Sequence, residues 1–507
     1  MDKKFLIIAI LLGLFHVSCD EELLDKVNPN ELSSATFYAD GAQATAAVNG
    51  VYAALQTTQL YTREYFFLHD LLSDENFGLG SLEAQRVQLI ARSFDGANAI
   101  ITQVWRGAHR GIHRANLVID NVPETPLSAD YPESLRNRHI GEARYLRAFF
   151  AFELVSLWGD VPFSENVAGG EEASNGLAVV SADQIYASII SDLDFAEQNL
   201  PNRSEYNPDQ LGRATRTAAQ ALKGRVQLFR GNYAEAASEL QKVVNSGEHR
   251  LMEEFTDNHT DENENNEEAI FEIQFSLAFG GGNRWSGDGN GIAEVTFRGQ
   301  EYGMKAWRNV IPSEALVSEL LREEKAAGVE DPRAAFTIYR PGDAYNKGQD
   351  TVIAFVTTPD DLPSWRKYQN YYDNLDEVNQ QSGINFRSIR YADVLLMLAE
   401  AQNELGNQAD ALALLNQVRA RPSVDMPPLP TATFPAGSQA EVFEAIQHER
   451  VMELTSEQTR YRDILRWEIG PRVIPAWVAN KHELLPIPQQ EIDANVALTN
   501  SDQNPGY

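Results

Sequence analysis

Two stretches of this chain share one plan: a helix pattern, a Gly-Asn turn and a second helix pattern. The first spans residues 215–245 and turns at Gly231, and the second spans residues 391–420 and turns at Gly406. Apolar residues recur every three or four positions on both sides of each turn, which is typical of helices that bury one face. Small residues on both helices permit close antiparallel packing around a short turn. The chain is therefore predicted to contain antiparallel helix pairs.

These pairs resemble the helix pairs of tetratricopeptide repeats, although ordinary helical hairpins would pack in the same way. Further helices are predicted where apolar stripes are bounded by capping residues, glycine or proline. They span about residues 40–56, 98–121, 133–158, 182–200 and 441–467.

The sequence changes character between residues 246 and 380. A Gly-rich segment covers residues 280–291, and the alternating segment at residues 269–275 predicts a half-buried strand. Shorter strand patterns occur at residues 352–357 and 365–368. The predicted fold is mainly α, a tetratricopeptide-like helix-pair scaffold with an irregular, loop-rich region that contains a few short strands. Because binding residues concentrate in loops on rigid scaffolds, we expect this region to hold the ligand.

The N-terminus has the pattern of an export signal. Two lysines precede an apolar run at residues 5–15, which is too short to span a bilayer, and Ser18 then precedes Cys19. Cys19 is the only cysteine of the chain, so it cannot form an intrachain disulfide. We interpret it as a lipid-attachment site, the alternative being a free cysteine beside an ordinary signal peptide.

Net charge limits the partners of the mature chain. The sequence has 42 Lys and Arg against 73 Asp and Glu, a formal charge of −31. Nucleic acids and anionic lipids are recognised by basic faces, so neither is an expected partner. With no cysteine after Cys19, thiolate metal sites and disulfides are excluded as well. No cofactor and no metal site are predicted.

Four motifs follow one another along the chain. They are EARYLRAFF closing in LWGDVP at residues 142–162, RYADVLLMLAEA at residues 390–401, IQHER at residues 446–450 and the terminal NPGY at residues 504–507. On these motifs the chain resembles the SusD/RagB family from its lipid signal to its last residue.

The resemblance implies a lipoprotein on the outer face of a Bacteroidetes outer membrane. Such proteins sit as a lid on a SusC-like, TonB-dependent transporter and capture oligosaccharides or polysaccharides for import. They are not enzymes. Acidic residues directly after Cys19 resemble the surface-export signal of these lipoproteins. The expected partners are therefore a glycan, the transporter and, through the lipid, the membrane.

Aromatic side chains outside the helical motifs are the expected glycan contacts, because sugar rings present flat apolar faces. Trp285 is the first candidate, since it lies in the Gly-rich segment, and Trp307 and Tyr302 come next. The resemblance further suggests that the loop around Asp74 lies near the ligand. It adds Asp74, Phe77 and Arg86 as candidates.

Two other functions stay open at this point, a protein-binding helical scaffold and a surface glycan hydrolase. The hydrolase has less support because no nucleophile motif is present and no carboxylate pair can be singled out as a catalytic dyad. The predicted layout is a signal peptide at residues 1–18, a tether at 19–35 and one SusD-like domain at 36–507, with helical parts at 36–245 and 381–470, the loop-rich part at 246–380 and a Pro-rich tail at 471–507.

Overall fold

Helices form where apolar residues recur at helical spacing and a polar side chain caps the first turn. The computed structural model describes residues 37–79, 82–167, 176–278, 294–352, 362–369 and 382–507. The fold is mainly α, as predicted. The helices in these ranges are α1 (Gly41–Tyr52), α2 (Glu64–Leu71), α3 (Ala84–Ile90), α4 (Ala99–Asn121), α5 (Glu133–Trp158), α6 (Ala182–Asn199), α7 (Arg216–Phe229), α8 (Tyr233–Ser246), α9 (Arg298–Tyr302), α10 (Glu314–Leu320), α11 (Pro332–Thr337), α12 (Tyr391–Glu404), α13 (Gln408–Arg419), α14 (Gln439–Leu454), α15 (Arg460–Arg466), α16 (Gly470–Val473) and α17 (Gln489–Ala494).

The two predicted helix pairs are α7 with α8 and α12 with α13. Each pair packs against itself, and α8 also packs against α12, so the pairs stack. Gly231 and Gly406 adopt left-handed backbone conformations in the turns, with φ of 74° and 84°. Within the first pair, a Cβ atom on Gly224 would lie 2.6 Å from Leu240. Glycine at this position therefore permits the close approach of α7 and α8.

The predicted helix at residues 441–467 is wrong in one respect, because the structure breaks it into α14 and α15. Between them the backbone takes positive φ values at Ser456 (66°) and Gln458 (55°). Long-range contacts hold this break: Arg298 donates to the Ser456 carbonyl, and Arg390 donates to the Glu457 carboxylate at 2.9 Å. No local sequence signal reports such contacts.

The strands are short and pair two by two. The strands of the described residues are β1 (Asn76–Gly78), β2 (Val161–Pro162), β3 (Val179–Val180), β4 (Ala269–Ile273), β5 (Val310–Pro312), β6 (Glu324–Ala326), β7 (Val329–Glu330), β8 (Ile338–Tyr339), β9 (Ala344–Tyr345), β10 (Asp350–Thr351), β11 (Ser364–Trp365) and β12 (Phe386–Arg390). The antiparallel pairs are β1–β5, β2–β3, β4–β12, β6–β7, β8–β11 and β9–β10.

The alternating pattern at residues 269–275 gives strand β4, but the prediction that it is half-buried is wrong. All five residues of β4 are buried, because α7 packs on the strand and β12 pairs with it. Glu272 faces the interior there and forms an ion pair with Arg387 at 3.1 Å. The alternation therefore reflects a buried ion pair and not a solvated face. The strand predicted at residues 352–357 lies mostly outside the described residues.

Arg390, the first residue of the motif at residues 390–401, belongs to a buried network of paired charges at the end of β12. Arg390 donates to Glu268 at 2.7 Å and to Glu453 at 2.6 Å, and Arg421 donates to the same two carboxylates at 2.7 Å each. All four side chains are at most 1% exposed. The network thus joins the start of α12, α14 and the loop-rich region through paired charges.

The helices that the structure describes include none with both the length and the apolar composition needed to cross a membrane.

Candidate functional site

Two aromatic side chains are exposed on the surface of the described residues. Phe77 is 51% exposed and Trp307 is 46% exposed, whereas every other Phe, Tyr and Trp in the described ranges is buried or half-buried. Trp105, Trp158 and Trp365 are at most 2% exposed and belong to the core. An exposed aromatic ring offers a flat apolar surface to a sugar ring, so these two positions are candidates for ligand contact.

The antiparallel pair β1–β5 brings these two residues into one part of the fold. Phe77 in β1 pairs with Ile311 in β5, and the Leu79 amide donates to the Asn309 carbonyl at 3.0 Å. Trp307 lies two residues before Asn309. Phe77 and Trp307 therefore belong to one two-stranded ribbon and the loop that enters it. We call Phe77 and Trp307 the aromatic surface.

A buried carboxylate supports the loop that carries Trp307. Glu301 at the end of α9 is 1% exposed, and it accepts from Arg63 at 2.9 and 3.1 Å and from Arg86 at 3.1 Å. Its backbone carbonyl accepts from the Asn309 amide at 2.8 Å. Two arginines thus hold α9 in place, and α9 holds the loop by its backbone.

The same loop is fixed at its centre. The Trp307 amide donates to the Gln300 carbonyl at 3.0 Å, and Arg308 has a φ of 52°. The Arg308 side chain is 1% exposed and donates to the Leu362 carbonyl at 2.9 Å. The backbone therefore reverses at Arg308, whose side chain turns inward while that of Trp307 stays exposed.

Two predicted contact residues lie beneath this surface. Tyr302 is 1% exposed and its hydroxyl donates to Asp70 at 2.6 Å; burial raises its pKa well above the usual range. Arg86 is 2% exposed, and its guanidinium lies 3.8 Å from the ring centre of Phe67. The expectation that both touch a ligand directly is corrected here: they are supporting residues, since their polar groups are engaged inside the protein.

Asp74 forms an ion pair with Arg460. Both of its carboxylate oxygens accept from Arg460 at 2.7 Å. With Glu75 it lines a cavity of about 520 Å³, to which α10, α14 and α16 also contribute residues. Burial raises the pKa of Glu75 to about 8, despite the nearby Arg460. Asp74 therefore anchors the start of β1, and through it the position of Phe77.

An exposed lysine that was not among the predicted ligand contacts lies two residues before Trp307. Lys305 is exposed, and its ammonium nitrogen lies 3.2 Å from the Tyr345 hydroxyl and 5.1 Å from the centre of that ring. Tyr345 comes from β9, far along the chain. The i, i+2 spacing of Lys305 and Trp307 was the only available sequence signal, and it is too common to be selective.

Trp285 and Cys19, the first ligand candidate and the predicted lipid site, lie outside the described residues. The comparisons below do not test either position.

One group of three side chains in the described ranges has the spacing of a metal site. Donor atoms of Glu323, His448 and Glu449 lie within 4.8 Å of one another. Arg419 occupies the space between the carboxylates, donating to Glu323 at 2.9 Å and also to Glu449. The Arg419 guanidinium neutralises the charge of the two carboxylates, so we interpret the group as a buried ion-pair cluster.

Two protein families have models that match parts of this chain. The model of the SusD family matches residues 267–476, and a second family, described as starch-binding and associating with the outer membrane, matches residues 22–228. A SusD-like protein of Formosa agariphila is 28% identical over 100% of both chains.

Solved structures agree in fold. A laminarin-binding SusD-like protein is 25% identical, covers 93% of this chain and 100% of its own, and superposes with a TM-score of 0.74. Surface glycan-binding protein A of Bacteroides thetaiotaomicron, solved with laminarihexaose, is 21% identical over 92% of this chain and 99% of its own, with a TM-score of 0.73. The tetratricopeptide-like architecture predicted from the helix pairs is confirmed.

Proposed function

We propose that this chain binds oligosaccharide or polysaccharide on the aromatic surface and delivers it to a TonB-dependent transporter. The matches to the SusD family and to a family described as starch-binding and associating with the outer membrane support this function. The observation that carries the proposal is that one two-stranded ribbon and the loop that enters it hold both exposed aromatic residues. Rings of this kind cover the apolar faces of sugars, while nearby polar groups bind hydroxyls. The laminarin-binding relative supports the same ligand class.

The proposal treats the protein as a binding protein without catalysis. We further propose that Cys19 carries the lipid, that the protein faces the cell exterior, and that one domain follows a tether at residues 19–35. Trp285 remains a proposed further contact. The transporter would supply translocation, since binding alone moves nothing across the membrane.

Calorimetry of the mature chain with a panel of oligosaccharides tests the binding. Trp307→Ala and Phe77→Ala should each raise Kd about tenfold or more, because each removes an apolar ring worth about 1.5–3 kcal/mol when covered. Val496→Ala is the matched control, since Val496 is 85% exposed at a distant position in the sequence. Unchanged affinity in both aromatic variants would remove the aromatic surface from the site.

The same samples separate the other two functions. Release of reducing sugar would identify a hydrolase, and binding of peptides with no binding of any glycan would identify a protein scaffold. Membrane fractionation of a Cys19→Ser variant tests the anchor: the protein should leave the membrane fraction, because a tether without acyl chains has no affinity for lipid. Purification of the wild-type chain from its own membrane should bring the transporter with it.

A further inference from the structure

Lys305 places a positive charge at the edge of the aromatic surface. It is exposed and lies two residues before Trp307 in the same loop. That loop is held by the α9 carboxylate Glu301 and by the inward side chain of Arg308, as described above. The fold therefore sets the backbone positions of Lys305 and Trp307 relative to each other.

Tyr345 holds the lysine from the other side. Its hydroxyl lies 3.2 Å from Lys305 Nζ, and its ring is itself packed against a small buried cluster of Met304, Tyr339 and Val352. Met304 directly precedes Lys305, so the cluster supports both partners. A lysine held against a packed ring loses less side-chain freedom on binding than one free in solvent.

The ammonium group keeps bonding capacity. A lysine has three N–H donors, and the Tyr345 hydroxyl uses one. Within the described ranges no carboxylate lies within 4.0 Å of Lys305 Nζ, whereas Lys223, Lys242 and Lys325 have carboxylates at 2.6, 2.7 and 3.0 Å. Lys305 therefore has donors left for a ligand.

Three acidic side chains near Tyr345 in the sequence bind partners of their own. Asp343 accepts from the Arg340 amide at 2.6 Å, Asp350 accepts from the Asn346 side chain at 2.8 Å, and Glu330 pairs with Arg340 at 2.9 Å. They are oriented toward these partners, and no carboxylate among the residues that the structure describes forms an ion pair with Lys305. A local positive site thus exists on a chain whose formal charge is −31.

We propose that Lys305 makes the aromatic surface select glycans that carry a carboxylate or a sulfate group next to the sugar ring stacked on Trp307. The inference rests on the proposed function and names its ligand class. Hydrogen bonds between an ammonium and an anion are stronger than those to a neutral hydroxyl. The overall negative charge opposes such a ligand only weakly, because physiological salt screens charges beyond about 8 Å, while direct contact with Lys305 is screened far less.

Pairs of polymers that differ only in charge test the proposal. Calorimetry would compare polyuronates with their carboxyl-reduced forms, and sulfated galactans with their desulfated forms. The wild-type chain should bind at least one charged polymer about tenfold more tightly than its neutral form. Lys305→Ala should abolish that difference, and Lys305→Arg should retain the preference because it keeps the charge.

Lys481→Ala is the matched control. Lys481 also lies over a tyrosine ring, that of Tyr507, at 4.5 Å, but it belongs to the C-terminal tail. It should bind every polymer as the wild type does. Tighter binding of the neutral forms, or equal loss of preference in Lys481→Ala and Lys305→Ala, would overturn the charge selection while leaving glycan binding intact. Failure to bind any polymer, charged or neutral, would overturn the proposed function together with this inference.

Discussion

Glu301 shows at the residue scale how a buried charge positions an exposed ring. Its carboxylate is shared by Arg63 and Arg86, and its backbone carbonyl binds the residue that leads into β5. Both arginines are also buried, with Arg63 9% exposed and Arg86 2% exposed. The exposed Trp307 therefore depends on a side chain that no ligand touches.

Glu301→Ala should lower the free energy of unfolding by about 3–5 kcal/mol, because it leaves two buried guanidinium groups without their shared partner. Denaturant unfolding measures this change, with Glu235→Ala on the exposed face of α8 as the control. Glycan affinity should fall in the same variant under conditions where it stays folded. A stability equal to that of the control would show that the pair of arginines finds other partners.

The raised pKa of Glu75 predicts that stability falls as the pH rises from 5 to 8. Burial raises its pKa from 4.5 to about 8, so the folded state keeps a proton that the unfolded state loses. Stability from this group is present below pH 4.5 and is lost as pH rises toward 8, by about 1.4 kcal/mol per unit. Glu75→Gln stays neutral, so its stability relative to wild type should increase between pH 5 and pH 8. Parallel unfolding curves for the two proteins over that range would contradict the assignment.

At the scale of elements, the predictions were most accurate for helices with caps and a continuous apolar stripe. Asp40 and Asn98 cap α1 and α4 as their side chains accept amide hydrogens, and α5 begins and ends at the predicted residues. The helix at residues 441–467 was predicted too long, because its break depends on Arg298 and Arg390, which are remote in the sequence. Local patterns report local energetics only.

Two glycines test how closely the helices pack. A Cβ atom on Gly111 in α4 would lie 2.4–2.5 Å from the Phe150 ring of α5, whereas a Cβ atom on Gly50 in α1 would meet nothing within 4 Å. Gly111→Ala should destabilise by about 1–3 kcal/mol through overpacking. Gly50→Ala should stabilise by up to about 1 kcal/mol through helix propensity. Thermal unfolding of both variants gives the comparison, and the same sign of effect in both would refute the close packing of α4 on α5.

At the scale of the whole molecule, paired charges connect the helical scaffold to the loop-rich part. Burial by itself would raise the pKa of Glu449, but Arg333 and Arg419 lower it to about 2. The pKa values of Glu453 and Glu457 are lowered in the same way, by Arg390 together with Arg421 and Lys367 respectively. These carboxylates stabilise the fold only while they are ionised.

Acid should therefore unfold the protein through this network. A lowered folded pKa gives stability that is present above about pH 4.5 and is lost as the pH falls toward 2. Glu449→Gln should be less stable than wild type at pH 7 by about 3 kcal/mol, and the difference should shrink below pH 4. Unfolding in guanidinium chloride at several pH values measures this difference in stability. An equal difference at pH 7 and pH 3 would mean that Glu449 acts by packing alone.

The candidate site shows the same division between local and long-range information. Phe77 and Trp307 were selected from the sequence and are exposed, while Tyr302 and Arg86 were selected with them and are buried. Aromatic residues in loops have similar local patterns whether they face water or the core. Lys305 was missed because its relation to Tyr345 depends on β9, which only the folded chain brings near.

The sequence by itself determined most of the long helices, their pairing through Gly231 and Gly406, and the resemblance to the SusD/RagB family, because periodicity, caps and ordered motifs are local properties of the chain. Only the tertiary structure decided which candidate side chains reach the surface, where α14 ends and which charge stands beside Trp307. The physical reason is that burial and ion pairing are set by contacts between residues far apart in sequence. Strands β1 and β5 are far apart in the sequence, and the aromatic surface exists only because they pair in the folded chain.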